Sequence, residues 1–205
     1  MQKLGLGFFF IMVFACYTAL VAHPVIWSGG RVFHMRMSSR LTELKTHYSW
    51  TQLASMGVHY LNLGSDKSWL MGQLNGLIYR FNGMHSQGNM YVSSGVGRML
   101  NSKKLPALGW HFGVQTDYET RRLYTLLGYD VFTGTSTLSI IQARLGWAPY
   151  KTSFSKISTW IIMQVQAVDS QVRAMPVIRF FKRNILLELG SDFNKQSLMT
   201  VMVHW

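Results

Sequence analysis

The alternation that decides the fold is clearest in residues 108–119, which read LGWHFGVQTDYE. Every second residue from Leu108 to Tyr118 is apolar or threonine, whereas the residues between them are glycine or polar. Successive side chains of a β-strand point to opposite faces of a sheet, so this segment has one apolar face and one polar face. The segment is therefore predicted to be a strand that separates an apolar environment from a polar one.

The same period of two recurs along the chain, and clusters of Gly, Ser, Asn and Asp separate the segments that carry it. Most segments exceed the ~5–6 residues usual in soluble sheets and approach the ~9–11 residues of a tilted transmembrane strand. They predict an all-β, antiparallel transmembrane β-barrel of about 12 strands, within a range of roughly 8–14, with short loops on both sides. The predicted strands lie near residues 25–37, 41–50, 53–63, 68–81, 88–99, 107–119, 122–132, 136–147, 157–168, 172–182, 185–191 and 197–205.

The composition excludes several classes of protein. Charged residues make up 14% of the 205 residues and hydrophobic residues 48%, whereas about a quarter of an ordinary soluble domain is charged. Aromatic residues reach 14%, which is unlike a disordered chain. A single cysteine rules out an internal disulfide framework and a zinc site built on several thiolates.

The one long apolar run is at the N-terminus, where Lys3 precedes Leu4 to Ala22. A basic start, an apolar stretch and a small residue at its end are typical of a secretory signal peptide. We therefore divide the chain into a signal peptide, residues 1–22, and a barrel, residues 23–205. Two alternatives stay open: an uncleaved membrane anchor, and a lipoprotein acylated at Cys16. Each of the three predicts export from the cytoplasm.

Two all-β architectures fit the alternation. A soluble sandwich or periplasmic barrel that binds a partner places its apolar face inward, whereas a membrane barrel places that face in the lipid. The polar face here is poor in Lys and Glu but rich in Gly, Ser, Gln, Asn, His and Arg, which favours a confined lumen. Aromatic residues near strand ends suggest girdles at the membrane interfaces: Trp27, Trp50, Tyr60, Trp69, Tyr79, Tyr118, Trp147 and Trp160.

The C-terminal residues Met199, Val201, Val203 and Trp205 alternate up to a terminal aromatic residue. This pattern resembles the last strand of bacterial outer-membrane β-barrel proteins, which is the assembly signal read by the barrel-assembly machinery. The resemblance covers the whole chain after residue 22, although these proteins more commonly end in Phe. It implies a location in the outer membrane of a Gram-negative cell and insertion from the periplasm. The basic residues are scattered along the chain, which favours contact with outer-membrane lipids and lipopolysaccharide.

The polar face predicts the functional residues, which would line the pore. Basic residues outnumber acidic ones on this face, so an open lumen would favour small anions. The alternative is a filled structural barrel in which these charges pair with one another across the lumen. The predicted pore-lining residues are Arg36, Glu43, Lys45, His47, His59, His111, Asp117, Glu119, Arg122, Arg144, Arg173, Arg179 and Glu188.

We predict no catalytic activity, no cofactor and no nucleic-acid partner; an unknown protein partner stays possible. His47 and Ser49 have the His-x-Ser spacing of outer-membrane lipid hydrolases, which supports a lipid-modifying enzyme as one alternative. Trp50 stands where those enzymes usually carry Asn. A second alternative is copper handling, since cleavage after Ala22 would give His23 a free amine beside its imidazole. No other metal site is predicted.

Overall fold

The structure, a computed structural model, describes residues 23–64, 67–101, 104–153, 155–192 and 196–205. The predicted signal peptide and Cys16 therefore lie outside the described residues. Twelve strands follow one another along the chain: β1 Arg31–Ser38, β2 Thr42–Ser49, β3 Ala54–Asn62, β4 Ser68–Asn82, β5 Ser86–Asn101, β6 Lys104–Thr120, β7 Leu123–Thr133, β8 Leu138–Trp147, β9 Ser158–Val168, β10 Gln171–Lys182, β11 Ile185–Ser191 and β12 Ser197–His204.

The strands form a closed barrel in which each one pairs antiparallel with its neighbours in sequence, and β1 pairs with β12. The closing register places Phe33 opposite Val203 and Met37 opposite Met199. Closure satisfies the backbone hydrogen bonds between strands and leaves no edge. The predicted fold class and the strand number of twelve are confirmed. Within the described residues, no helix is long and apolar enough to cross a membrane.

The apolar face of the alternation points outward and the polar face points into the barrel. On β6, Trp110 is 55% exposed and Phe112 is 49% exposed, whereas their neighbour His111 is 4% exposed. The same holds on β2, where Tyr48 is exposed and Glu43 is buried. An apolar belt on the outside is the reverse of what a water-soluble barrel needs. The soluble sandwich or barrel with an apolar interior is therefore wrong.

Two of the eight aromatic residues assigned to the interfacial girdles lie inside the barrel instead. Trp69 is 0% exposed and Trp160 is 7% exposed, because both occupy inward positions of their strands. Trp69 lies in register with Leu61 and Met99, and its indole Nε1 donates a hydrogen bond to the Thr133 carbonyl oxygen over 3.2 Å. Position near a strand end therefore did not predict which face an aromatic residue occupies.

The first strand begins at Arg31 rather than near residue 25. Gly29 has a φ of +84°, in the left-handed region that glycine adopts without strain. This turn redirects the chain, so the residues before it leave the barrel wall and enter the lumen. The predicted start was wrong because alternation alone does not reveal this turn.

The two ends of the barrel differ in what they carry. We call the end where β1 begins and β12 finishes the terminal end, and the opposite end the distal end. The connections are short at both, and the longest, residues 148–157, lies at the terminal end. The strands β4, β5 and β6 are the longest and run from Ser68 to Thr120, so one side of the barrel is taller than the other.

Candidate functional site

Most of the predicted pore-lining residues point into the barrel. Arg36, Lys45 and Arg173 are partly buried there. The buried members are Glu43, His47, His59, His111, Asp117, Glu119, Arg144, Arg179 and Glu188.

Arg122 is not among the inward residues. It is exposed in the turn between β6 and β7, where its backbone N–H donates to the Thr120 hydroxyl oxygen over 3.1 Å. Thr120 also accepts from the N–H of Leu123 at 2.9 Å, and this local capping makes a tight turn. The assignment of Arg122 to the lumen was wrong because the alternation stops at that turn.

A first buried charge cluster centres on Glu188 of β11 and is called the Glu188 cluster. Nη1 of Arg144 lies 3.0 Å from one carboxylate oxygen of Glu188 and 3.1 Å from the other. Nε of Arg179 donates to Glu188 over 2.8 Å, and its guanidinium carbon lies 4.3 Å from the centre of the Tyr124 ring. One carboxylate thus holds two arginines from different strands, and the cluster carries a net positive charge.

A second cluster centres on Glu43 of β2 and is called the Glu43 cluster. The carboxylate lies 2.7 Å from Lys45 Nζ, 2.9 Å from His59 Nε2 and 3.7 Å from Arg36 Nη1. The amide group of Gln142 lies between Arg36 and Arg144, and its oxygen accepts from one of the two at a time. In these two clusters each carboxylate is paired with basic side chains, mostly from the same strand or a neighbouring one.

Asp130 of β7 extends this pairing, and the sequence analysis did not select it. Its Oδ1 lies 2.8 Å from His111 Nε2, and the His111 ring packs edge-on against His59 with 5.4 Å between the ring centres. Asp130 alternates in phase with the inward Tyr124 and Phe132 on its strand. Applying the alternation strictly to residues 123–133 would have identified it.

His47 and Ser49 each make a hydrogen-bond contact with a different neighbour. His47 Nδ1 lies 3.1 Å from the side-chain nitrogen of Asn75, and Ser49 Oγ accepts a hydrogen bond from the Ile26 N–H over 3.1 Å. Asn75 also donates to Ser55 Oγ at 3.0 Å. These contacts tie β2, β3 and β4 together and hold the segment that contains Ile26.

Residues 23–30, which we call the N-terminal segment, fold back at the terminal end of the barrel. His23, Val25 and Ile26 are buried there, whereas Trp27, Ser28 and Gly29 are exposed. Val25 is 0% exposed and clusters with Leu77 and Tyr91. The Pro24 carbonyl oxygen accepts from Ser55 Oγ over 2.7 Å. His23 Nδ1 lies 2.8 Å from the Tyr91 hydroxyl and 3.6 Å from Asp117 Oδ2. The Gly29-Gly30 pair before the first strand is a turn signal that could have indicated this arrangement.

A cluster of apolar side chains lies inside the distal end of the lumen. They point inward from several strands and include Trp69 and Phe132, whose rings lie 5.8 Å apart. Between this cluster and the N-terminal segment, a polar cavity of about 100 Å³ is lined by Lys45, Arg144 and Gln115 among others. The apolar cluster consists of Leu41, Leu61, Trp69, Met71, Met99, Phe132, Leu138 and Ile140.

The C-terminal residues that carry the resemblance lie on the outer surface and close the barrel. Met199, Val201 and Val203 are only partly buried, whereas Thr200, Met202 and His204 between them are buried. Trp205 is 55% exposed, and its backbone exchanges two hydrogen bonds with Arg31, at 2.8 Å and 3.1 Å. The last residue of the chain is thus paired with the first residue of β1.

No protein-family model matches the sequence, and no curated protein is similar to it. Among solved structures, the KdgM porin in complex with disordered oligogalacturonate has a TM-score of 0.52 at 11% identity, covering 86% of this chain and 98% of that one. OccK8 (OprE) of Pseudomonas aeruginosa has a TM-score of 0.41 at 9% identity, covering 80% and 57%. OmpT of Vibrio cholerae, with its loop L8 deleted, has a TM-score of 0.29 at 6% identity, covering 86% and 97%. The chain has the fold of outer-membrane β-barrel proteins.

Proposed function

We propose that this protein is an integral outer-membrane β-barrel without catalytic activity, whose lumen is closed and whose role is structural. The apolar outer belt supports its place in a bilayer, where a closed barrel is one of the two backbone arrangements that satisfy every hydrogen bond. The predicted signal peptide supports export, and the C-terminal strand supports insertion by the barrel-assembly machinery.

The observation that carries this proposal is the filled interior. A barrel of eight strands is filled by side chains, and one of sixteen to eighteen leaves a channel, so strand number does not decide the matter for twelve. Here the N-terminal segment occupies one end, an apolar cluster lies inside the other, and two charge clusters project from the wall into the lumen. The cavity of about 100 Å³ between them holds a few water molecules at most by the usual volume per water.

The second candidate is an anion-favouring channel that opens when the N-terminal segment and the apolar cluster move. It is favoured by the excess of cations in the two charge clusters, where Arg36, Lys45, Arg144 and Arg179 face Glu43 and Glu188. The porin with the same fold is described with an oligogalacturonate, which is a polyanion. Passage of a comparable anion here would require the charge pairs to separate.

A planar bilayer experiment separates the two candidates. The purified protein is first shown to be folded by its faster migration on a gel before boiling than after. We expect this folded protein, inserted in the bilayer, to give no unitary current steps. Anion-selective steps that shrink in Arg144→Ala, but not in a control Arg121→Ala in an exposed turn, would establish the channel instead. A protein that stays in solution without detergent and shows no heat-dependent migration would disprove the membrane barrel itself.

The outer wall near the turn between β10 and β11 offers a site for an anionic phospholipid. A groove of about 540 Å³ is lined by the apolar residues Ile157, Phe180, Ile185 and Leu187 together with the basic residues Lys182 and Arg183. We propose that an acyl chain lies along the apolar side chains and that the two cations contact the headgroup phosphate. The juxtaposition of an apolar groove and basic residues at a strand end supports this partner.

We expect Lys182→Ala with Arg183→Ala to weaken retention of phosphatidylglycerol about tenfold or more, since each basic residue near a lipid surface contributes about 1 kcal/mol. Native mass spectrometry of the detergent-solubilised barrel, titrated with phosphatidylglycerol or phosphatidylcholine, measures the effect. The matched control is Arg121→Ala with Arg122→Ala, a basic pair at the same end that does not line the groove. Equal losses in the two double variants would refute a specific site.

A further inference from the structure

Two carboxylates inside the terminal end of the barrel have oxygen atoms without a hydrogen-bond partner. They belong to Asp117 and Glu119, which are 4% and 8% exposed and occupy consecutive inward positions on β6. Asp117 Oδ1 accepts a hydrogen bond from Asn89 over 2.8 Å. Asp117 Oδ2 and Glu119 Oε2 are buried and accept none from the described residues. Two neighbouring buried carboxylates with free oxygens are costly unless a cation compensates them or they take up a proton.

Two arginines at this end of the barrel donate from Nε to other side chains, although Nη2 of Arg179 makes no hydrogen bond within the described residues. Arg179 pairs with Glu188 at 2.7 Å and 2.8 Å, and Arg80 Nε donates to the Asn89 side chain over 2.8 Å. The imidazole of His23 approaches Asp117 Oδ2 to 3.6 Å through Nδ1, but that same nitrogen lies 2.8 Å from the Tyr91 hydroxyl. A further positive group beside His23 would compensate the free oxygens.

The predicted processing site would create such a group at this place. Hydrolysis by a signal peptidase adds water across the Ala22–His23 amide bond, so that Ala22 leaves with a carboxylate and His23 keeps an amino group. That amino group has a typical pKa of about 7.7–8.0 and takes up a proton at neutral pH. It belongs to a residue that is 6% exposed and already lies beside Asp117.

We propose that the α-ammonium group of His23, formed by cleavage after Ala22, is bound inside the barrel by Asp117 and Glu119. Processing then locks the N-terminal segment in the lumen, because an uncut chain has a neutral amide nitrogen at this position. The proposal rests on the predicted cleavage and on the docked N-terminal segment. The test follows the chemical reactivity of the α-amino group. A negative result would therefore count against this proposal and not against the closed lumen.

The test starts from the full chain, exported and purified from the outer membrane. Intact-mass measurement is expected to give a chain of residues 23–205, and a different N-terminus would overturn the proposal. The folded barrel is then treated at neutral pH with an amine-reactive ester, and modification of the N-terminal peptide is followed by mass spectrometry. We expect the α-amino group to react about tenfold or more slowly in the folded barrel than after denaturation, because charged hydrogen bonds hold it.

The decisive comparison is Asp117→Asn with Glu119→Gln, which preserves shape and removes the negative charges. We expect this double variant to lose most of the protection while keeping the heat-dependent gel migration of a folded barrel. Asp169→Asn, in a turn at the distal end, is the control and is expected to react like the unmodified protein. Equal reactivity of the double variant and the control would overturn the proposal. Should the double variant fail to fold, Asp117→Asn alone replaces it under the same criterion.

Discussion

Glu188→Gln is expected to lower the free energy of unfolding by about 3–5 kcal/mol, the usual cost of removing one partner from a buried ion pair. Glu188 is 1% exposed and holds Arg144 and Arg179 together. Glutamine keeps the shape of the side chain but removes its charge, so two buried guanidinium groups lose their counter-ion. Equilibrium unfolding in urea, in detergent micelles with tryptophan fluorescence as the signal, measures the change.

Asp169→Asn is the control, because Asp169 is a carboxylate in an exposed turn and makes no ion pair within the described part of the chain. Its replacement leaves no arginine unpaired, and we expect a much smaller change in the free energy of unfolding. If both variants unfold at the same urea concentration as the unmodified protein, the Glu188 cluster does not stabilise the barrel.

Gly57→Ala is the second substitution with a large expected effect. Gly57 of β3 lies opposite His47 of β2, and a Cβ atom at this position would overlap the Thr46 carbonyl oxygen and lie 2.7 Å from His47 Nδ1. The backbone cannot yield as a flexible side chain does. We expect a loss of roughly 3 kcal/mol or more, at the upper end of overpacking effects, measured by the same urea titration.

Gly72→Ala tests whether the effect comes from crowding rather than from the loss of glycine itself. A Cβ at Gly72 would meet nothing closer than the Val96 carbonyl oxygen at 3.9 Å. Glycine inside a strand is less favourable than alanine by roughly 0.5–1 kcal/mol, so this variant is expected to be unchanged or slightly more stable. A loss at Gly72 as large as that at Gly57 would contradict the steric explanation.

The barrel and its inward face could be predicted because period two is a direct consequence of strand geometry. Residues 108–119 show this best, since His111 and Asp117 point inward and Trp110 and Tyr118 outward, as their parity requires. The alternation assigns a residue to the inward or the outward face of the barrel only while the strand continues. It therefore failed at Arg122, which lies in a turn, and it was not applied to Trp69, which was placed by its nearness to a strand end.

The contacts inside the lumen could not be predicted from the alternation. Which carboxylate meets which arginine depends on barrel closure and on the offset between strands, and Arg144 and Glu188 come from strands that are not neighbours. The N-terminal segment was missed for another reason. Its course depends on the left-handed turn at Gly29 and on three-dimensional partners such as Ser55 and Tyr91, and none of these gives a periodic signal.

The pairing of Trp205 with Arg31 has a consequence for the order of folding. Every other strand pair joins neighbours in sequence, and such pairs can form by local zippering with little loss of chain entropy. The seam between β1 and β12 joins the two ends of the barrel chain, so it is the slowest contact to form. Until then both strands carry unsatisfied backbone groups, which lipid cannot solvate. We therefore expect the seam to form last, with the open sheet protected from the hydrocarbon until the final strand arrives.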